Sequence, residues 1–328
     1  MDTTQAVTEP SPSIAKLRLR AASIGEFIMP AFIVVYVIVI GAIEPRFLSL
    51  NNFDNLASQI APLLIMTVGQ AFTIISGGLD LSMAAVMSLA GVVGILMVPL
   101  VGAWGAVAVM IAVGAATGLV TGYMIAYQKT SPFIVTLGMT SIATAIALIL
   151  AHGVPIYLVP EELTSDIGFG HALGLPISFL IALALLGIGA FLLRRTAFGR
   201  YVYAVGSNRS AALRTGVNVA LHTMIVYGVA GFASGVAGVV LTSWVSAAQP
   251  AAEPDMTLKS IAAAVLGGVT LTGGSGGMRH VLYGCIILGA LSNSMTMIGV
   301  SSYYQILAVG IVIIVAVMLD RVRRRDLG

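Results

Sequence analysis

Apolar residues in this chain gather into long unbroken runs separated by short polar stretches. The runs fall near residues 27–43, 56–76, 81–101, 104–127, 132–152, 176–193, 222–246, 257–272, 280–298 and 303–319. A helix rises about 1.5 Å per residue, so roughly 20 apolar residues cross the ~30 Å hydrocarbon core of a bilayer. The pattern predicts an all-α fold, a polytopic membrane bundle of about ten transmembrane helices. The eighth run is short and interrupted by glycine, and it reads as a broken or re-entrant helix.

Composition agrees with that class. Hydrophobic residues make up 58% of the 328 and charged residues only 9%, against about 25% charged in a typical soluble domain. That is too little charge to coat a water-facing surface. Lys16, Arg18 and Arg20 precede the first run in the manner of a signal peptide. The run then continues into Glu44, Pro45 and Arg46 without a small-residue cleavage site, so it reads as a retained span. Residues 1–23 are expected to be a cytoplasmic tail, its first 13 residues lacking a buriable face. Residues 24–320 form the membrane domain, and residues 321–328 a basic cytoplasmic tail.

Lysine and arginine favour the cytoplasmic side of short loops. With both termini inside, Lys129, Arg194, Arg195, Arg200, Arg209, Arg214, Arg279 and the terminal arginines share one face, leaving Arg46 and Lys259 outside. The net charge of +3 is then a topological signal, not a nucleic-acid footprint. The acidic residues Glu44, Asp54, Glu161, Glu162, Asp166, Glu253 and Asp255 fall on the outer side, where they could receive a partner.

Gly114, Gly118 and Gly122 recur every four residues in the fourth run, and Gly231 and Gly235 do so in the seventh. That spacing lets a neighbouring backbone approach one helix face. Two other clusters break the helical pattern: Gly77 and Gly78, followed by Asp80, between the second and third runs, and Gly267, Gly268, Gly273 and Gly274 in and after the eighth. Irregular backbone survives in a bilayer only where protein or a water-filled cavity satisfies it. The clusters are candidates for a translocation path or a hinge, with tight surface turns as the competing reading and Asp80 equally a helix cap.

Catalytic chemistry has little to stand on. The lone Cys285 has no partner for a disulfide or a thiolate metal site, the four histidines are scattered, and no paired carboxylates fall inside a run. No GxxxxGK[ST] phosphate loop exists. The chain is expected to bind no metal or cofactor, and any ATP chemistry must come from another chain. The longest cytoplasmic stretch, residues 194–222, reads RRTAFGRYVYAVGSNRSAALRTGVNVALH. Asn208 can cap a short helix that Gly216 ends, with Arg214 complementing the dipole. Two turns are too short to stand alone, so this helix must lie on lipid or on a soluble partner.

Several segments resemble one family. Residues 198–208, FGRYVYAVGSN, followed by Ala211, Ala212 and Gly216, are similar to the cytoplasmic loop of permease subunits of bacterial ABC importers for monosaccharides, the ribose, xylose and galactose type. Residues 77–82, GGLDLS, resemble that family's GG[IL]DLS segment, and residues 131–138, SPFIVTLG, its PPFIVTLG. Residues 261–268, IAAAVLGG, with Gly273, Gly274 and residues 299–302, resemble its C-terminal half. The likeness covers roughly residues 45–320.

It implies a multi-pass subunit of the bacterial inner membrane working with a second permease copy, with cytoplasmic ATP-binding subunits that hold ATP and Mg, and with a periplasmic sugar-binding protein. The loop of residues 194–222 would couple to the ATPase through Phe198, Gly199, Arg200, Asn208, Ala211, Leu213, Arg214 and Gly216. Two departures stand out: Lys259 where members often carry aspartate, and Gly206-Ser207 in place of a glycine pair. A permease for another small polar solute, such as branched-chain amino acids, remains open. So does an ion-coupled carrier, although such a carrier normally shows ionisable residues deep in its spans and this chain has almost none.

Overall fold

The computed structural model describes residues 29–325; the expected N-terminal tail lies outside them. Eleven helices account for most of the described chain. They are α1 (Met29–Ile43), α2 (Leu50–Ile75), α3 (Met83–Ala126), α4 (Pro132–Leu150), α5 (Ile177–Arg195), α6 (Ala197–Ser207), α7 (Arg209–Arg214), α8 (Val219–Val245), α9 (Met256–Gly267), α10 (Met278–Met297) and α11 (Ser302–Arg325). Strand is confined, among the described residues, to the two-residue pair β1 (His171–Ala172) and β2 (Leu175–Pro176) and a bridge between Ile156 and Ala248.

Each expected span has a helical counterpart, with two adjustments of length. At 44 residues, α3 would be about 66 Å long if it were one rod. Gly102 breaks it at φ 72, shortly after Pro99 has removed a backbone donor, so its two halves are the third and fourth runs. In contrast, α9 has 12 residues, about 18 Å, little more than half the hydrocarbon thickness. The eighth run was expected to continue to residue 272. Its helix stops at Gly267 because Gly268 adopts φ 115, a conformation that terminates a helix and that glycine enters without a Cβ penalty.

Polar residues set the other boundaries. Ser49 caps α2 by accepting the Asn52 N–H at 3.2 Å, and Asn218 caps α8 through the Leu221 N–H at 3.0 Å. Thr196 caps α6 through the Gly199 N–H at 3.2 Å. An amphipathic helix over residues 197–207 was not expected from the sequence, which had placed only the shorter α7 in this loop.

The centre of the bundle is α2, continuously buried from Ile60 to Ile75. Around it pack α5, α8, α9 and α10. The closest helix pair is α3 with α8, and glycine explains it. A Cβ on Gly114 would lie 2.7 Å from the Gly235 nitrogen, and one on Gly231 would lie 2.7 Å from the Gly118 Cα. The backbones touch directly, so dispersion and weak polar contacts replace the hydrophobic drive that lipid removes. At the end of the bundle remote from the arginine-rich loop, Asn52 and Asn293 exchange carboxamide hydrogen bonds at 3.0 and 3.1 Å, joining α2 to α10. Apolar side chains of α1, α4 and α11 remain exposed, among them Val35, Ile134 and Ile311, as lipid-facing helices require.

The described cations at the α5–α8 junction, Arg194, Arg195, Arg200, Arg209 and Arg214, are all exposed at one end of the bundle. At the other end the two exceptions to the rule are locally neutralised. Arg46 pairs with Glu44 at 2.7 Å, and Lys259 pairs with Glu253 at 3.1 Å and Asp255 at 3.0 Å. His171 on β1 reaches Asp54 at the start of α2 at 2.7 Å, pinning the outer hairpin to the bundle.

Two outcomes follow from this packing. Gly118→Leu drives a side chain into the α8 backbone and will abolish recovery of monodisperse protein, overpacking alone costing about 1–3 kcal/mol. Gly138→Leu, with open space around its Cβ position, will leave thermal stability unchanged; equal tolerance of both would remove glycine contact as the basis of the α3–α8 pair. The second outcome is pH dependence at the hairpin. The Asp54 hydrogen bond raises the His171 pKa above its ordinary 6.5. The tie is therefore complete below about pH 6.5 and is lost as pH rises through the raised value. Hydrogen exchange at residues 171–176, corrected for intrinsic rate, will show protection falling from pH 6 to 9. Asp54→Asn will abolish that dependence, and an unchanged dependence in this variant would contradict the pairing.

Candidate functional site

The glycine clusters singled out in the sequence are turns whose backbone is tied into the bundle, with Gly77 itself exposed. After α2 ends, the Gly77 N–H donates to the Ile74 carbonyl at 2.9 Å and the Gly78 N–H to the Thr73 carbonyl at 2.9 Å, a left-handed glycine closing the helix at φ 84. The chain then turns back into the bundle. Leu79 offers its carbonyl to the Tyr227 hydroxyl at 3.3 Å, and Leu81 to the Thr140 hydroxyl, midway along α4, at 3.0 Å. Asp80 is 2% exposed. Its carboxylate accepts the Ser82 N–H at 2.8 Å and the Ser82 hydroxyl at 2.6 Å, so it fixes the start of α3, which begins inside the protein.

A second unwound stretch enters from the end opposite the arginine-rich loop. After α8, residues 246–255 descend along α3: the Ala252 N–H donates to Ser88 Oγ at 3.0 Å, and the Ala84 N–H to Thr257 Oγ1 at 2.9 Å. The half-length α9 thus also starts within the bundle. It returns through residues 268–277 to α10, and Gly267 is required there because a Cβ would fall on the His280 carbonyl.

At the arginine-rich end, three segments distant in sequence meet. The Gly274 N–H donates to the Ile75 carbonyl, the last residue of α2, at 2.8 Å. A Cβ on Gly206, near the end of α6, would lie on that same carbonyl and 2.7 Å from the Gly274 nitrogen. One on Gly273 would lie 2.8 Å from the Gly77 nitrogen and 3.0 Å from the Gly206 carbonyl. Tyr203 on α6 donates its hydroxyl to the Gly276 carbonyl at 2.8 Å. The result is a junction of bare backbone joining the end of α2, the end of α6 and the loop after α9.

The residues of the basic loop expected to meet an ATPase divide around this junction. Phe198 stacks on Phe72 of α2, ring centroids 6.0 Å apart, and on His222 of α8 at 6.3 Å. Gly199 sits where a Cβ would strike the carbonyls that end α5. Arg200 is on the exposed face of α6. Asn208 caps α7 by accepting the Ala211 N–H at 2.9 Å, and Gly216 closes it at φ 83. Leu213 is 65% exposed, and Ala211 and Arg214 share that exposed surface. Phe198 and Gly199 therefore anchor the loop, while Arg200, Ala211, Leu213 and Arg214 face outward.

Sequence reasoning gave Gly77, Gly78, Asp80, Gly267, Gly268, Gly273 and Gly274 as path or hinge candidates; Tyr203 and Gly206 entered only through the likeness of the loop to a family, and Ile75 and Tyr227 were not candidates. The usable signal was helical spacing in residues 198–206: Val202 and Val205 are buried on one face with Gly199. The arrangement offers no catalytic set, and no group of three His, Cys, Asp or Glu side chains that could hold a metal occurs among the described residues. What it offers is contact: α6, the end of α2 and the loop after α9 meet backbone to backbone at Gly206, Ile75 and Gly274, with no side chain between them.

Comparison with known proteins bears on what such a device serves. The chain is 35% identical to the ribose import permease protein of Escherichia coli K12 over 292 residues, 88% of this chain and 91% of that protein. The ribose import permease protein of Bacillus subtilis is 37% identical over 88% of this chain and 90% of its own. The L-arabinose ABC transporter permease protein of Azospirillum brasilense is 34% identical over 97% and 96%. No solved structure matches. A family model described as the permease component of branched-chain amino acid transport systems matches residues 52–317, and with that coverage of a multi-helix membrane bundle the chain belongs to this permease family.

Proposed function

We propose that this chain is the membrane subunit of an ATP-driven importer that carries a monosaccharide across a bacterial inner membrane. Relatives named for ribose, allose and arabinose import, each about a third identical over most of the chain, support the sugar class. The observation that carries the mechanism is the backbone junction, at which α6 of the basic loop touches both interrupted segments. In this reading two copies of the chain frame the path. ATP-binding subunits, holding ATP and Mg, dock on the exposed face of α6 and α7. A periplasmic binding protein delivers sugar at the opposite end, where the acidic outer loops lie.

The chain's own residues then have distinct tasks. Arg200, Leu213 and Arg214 meet the ATP-binding subunit. Phe198 holds α6 on α2, so motion imposed on α7 passes along α6 instead of bending it at Thr196. Gly206 delivers that motion to Ile75 and Gly77 on one side and to Gly273 and Gly274 on the other. Because α3 and α9 begin inside the protein, a shift at their preceding loops changes packing at mid-depth. Asp80 keeps the start of α3 intact during such a shift by holding Ser82.

The description attached to the family model, branched-chain amino acid transport, supplies the second reading of the cargo. Proteoliposomes containing the assembled importer separate the two: ATP-dependent uptake of D-ribose, D-allose or L-arabinose is expected, and uptake of leucine with none of these sugars would replace the first reading by the second.

For the mechanism, Tyr203→Phe will lower sugar carried per ATP hydrolysed by about tenfold, the consequence of losing one hydrogen bond of roughly 1.4 kcal/mol, with thermal stability within a few degrees of wild type. Unchanged coupling in this variant would remove the α6 contact from the mechanism. Arg200→Glu with Arg214→Glu will weaken co-purification of the ATP-binding subunit. A normally inserted double variant that still binds it and transports at the original rate would show that these arginines serve only topology and anionic lipid, about 1 kcal/mol each. Reporter tags after Asp2 and Asp326 will both read cytoplasmic and one beside Glu162 external; opposite sides for the two termini would overturn the even number of crossings.

A further inference from the structure

Between the outer half of α8, the first half of α3 and the descending stretch 246–255 lies a cavity of about 100 Å³, several times the space that one buried water requires. Its wall includes Ser88, Thr242, Trp244, Gln249 and Glu253. A wider gap of about 340 Å³ nearby is lined mostly by apolar side chains such as Val107, Ile111 and Val240, with Asp166 the one carboxylate among them. The smaller cavity differs in kind. Neither the indole N–H of Trp244, the hydroxyl of Thr242 nor the carboxamide of Gln249 has a hydrogen-bond partner among the described residues. All three side chains line the cavity, so their polar groups are available to hydrogen-bond a polar solute received there.

Backbone geometry points to the same place. Ser246 and Glu253 bracket this stretch with φ 56 and φ 41, left-handed conformations that non-glycine residues rarely adopt and that cluster at ligand clamps and moving segments. The Glu253 carboxylate is held by Lys259 at 3.1 Å, and Ser88 ties the floor of the cavity to Ala252 at 3.0 Å. The clamp is therefore positioned, while its indole, carboxamide and threonine hydroxyl stay free.

We propose that this cavity is a sugar-binding station on the outer half of the path. Trp244 offers an aromatic surface to the ring, Gln249 and Thr242 offer hydrogen bonds to adjacent hydroxyls, and Glu253 accepts from a further hydroxyl. The chemistry is that of a small neutral polyol: a ring with an apolar face and a rim of donors and acceptors fits an indole beside a carboxamide. A branched-chain amino acid would find no fixed cation for its carboxylate, because Lys259 is already shared between Glu253 and Asp255. Lys259 acts here as a positioning residue through Glu253. This inference rests on the sugar-importer reading and extends it to named contacts.

The chain has only two tryptophans, Trp104 and Trp244, and Trp104 lines the apolar gap. In full-length Trp104→Phe protein in lipid nanodiscs, Trp244 is thus the sole indole reporter. Titration with D-ribose, D-allose and L-arabinose is expected to give a saturable change in Trp244 emission for at least one sugar, abolished by Gln249→Ala. In the assembled importer Trp244→Ala and Gln249→Ala will lower uptake of that sugar about tenfold, with Trp244→Tyr retaining more than Trp244→Ala, as expected for loss of roughly one hydrogen bond or stacking contact. Uptake by the wild-type importer with no saturable emission change would overturn the station alone. An assembled wild-type importer that carries none of the three sugars would overturn the sugar reading beneath it.

Discussion

A backbone inside a bilayer must find its own hydrogen-bond partners, since lipid supplies none. Everything unusual in this bundle follows from how three interrupted segments meet that requirement. The stretch after α2 is satisfied by Tyr227 and Thr140, and the stretch before α9 by Ser88. The loop after α9 is satisfied in part by the last carbonyl of α2 and by Tyr203. Each break is therefore tolerable only where neighbouring segments supply its partners, and the end of α2 and the loop after α9 are joined to each other in this way. The glycines are a consequence: the backbones of different segments meet at Ile75, Gly77, Gly206 and Gly274 only because no Cβ intervenes, and the Gly274 N–H there reaches the Ile75 carbonyl at 2.8 Å.

Mutual dependence also makes the region suited to movement. Helices packed along their full length resist sliding, because close-packed interiors have few intermediate arrangements. Two helices that start inside the protein, the short α9 and the first half of α3, can instead reorient by exchanging a handful of hydrogen bonds at their ends. The Gly114–Gly118 contact with Gly231 and Gly235 supplies the fixed frame against which this happens. The basic loop is joined to the movable part by backbone contact, and the outer cavity lies against the same α3 and the segment leading into α9. One set of breaks thus links the two faces of the membrane.

The sequence made local features legible. Apolar run length set the spans, four-residue glycine spacing marked the tight helix pair, and Asn208 with Gly216 bounded α7. The break in α3 also had its signal in Pro99 and Gly102. What stayed hidden depended on distant partners. Helix α6 mixes arginine, tyrosine and valine and reads as loop until Phe72 of α2 gives Phe198 something to stack on. The meeting of Gly77, Gly206 and Gly274 joins positions up to about 200 residues apart in the chain, which no local pattern encodes. Asp80 was open between path and cap because burial, not residue type, decides where its carboxylate goes. The cavity was invisible for the same reason: unpaired Trp244 and Gln249 are defined by the partners they lack.

Coupling through the junction is tested most directly by locking it. In a Cys285→Ala background, which removes the single native thiol, Ser76→Cys and Ser207→Cys place thiols at the end of α2 and the end of α6, and a short reducible bifunctional reagent joins them in the assembled importer. ATP hydrolysis that continues while sugar uptake stops, with uptake restored on reduction, is the result that backbone transmission requires. Complete cross-linking with uptake at the unmodified rate would show that α6 and the breaks need not move relative to each other, and would contradict it.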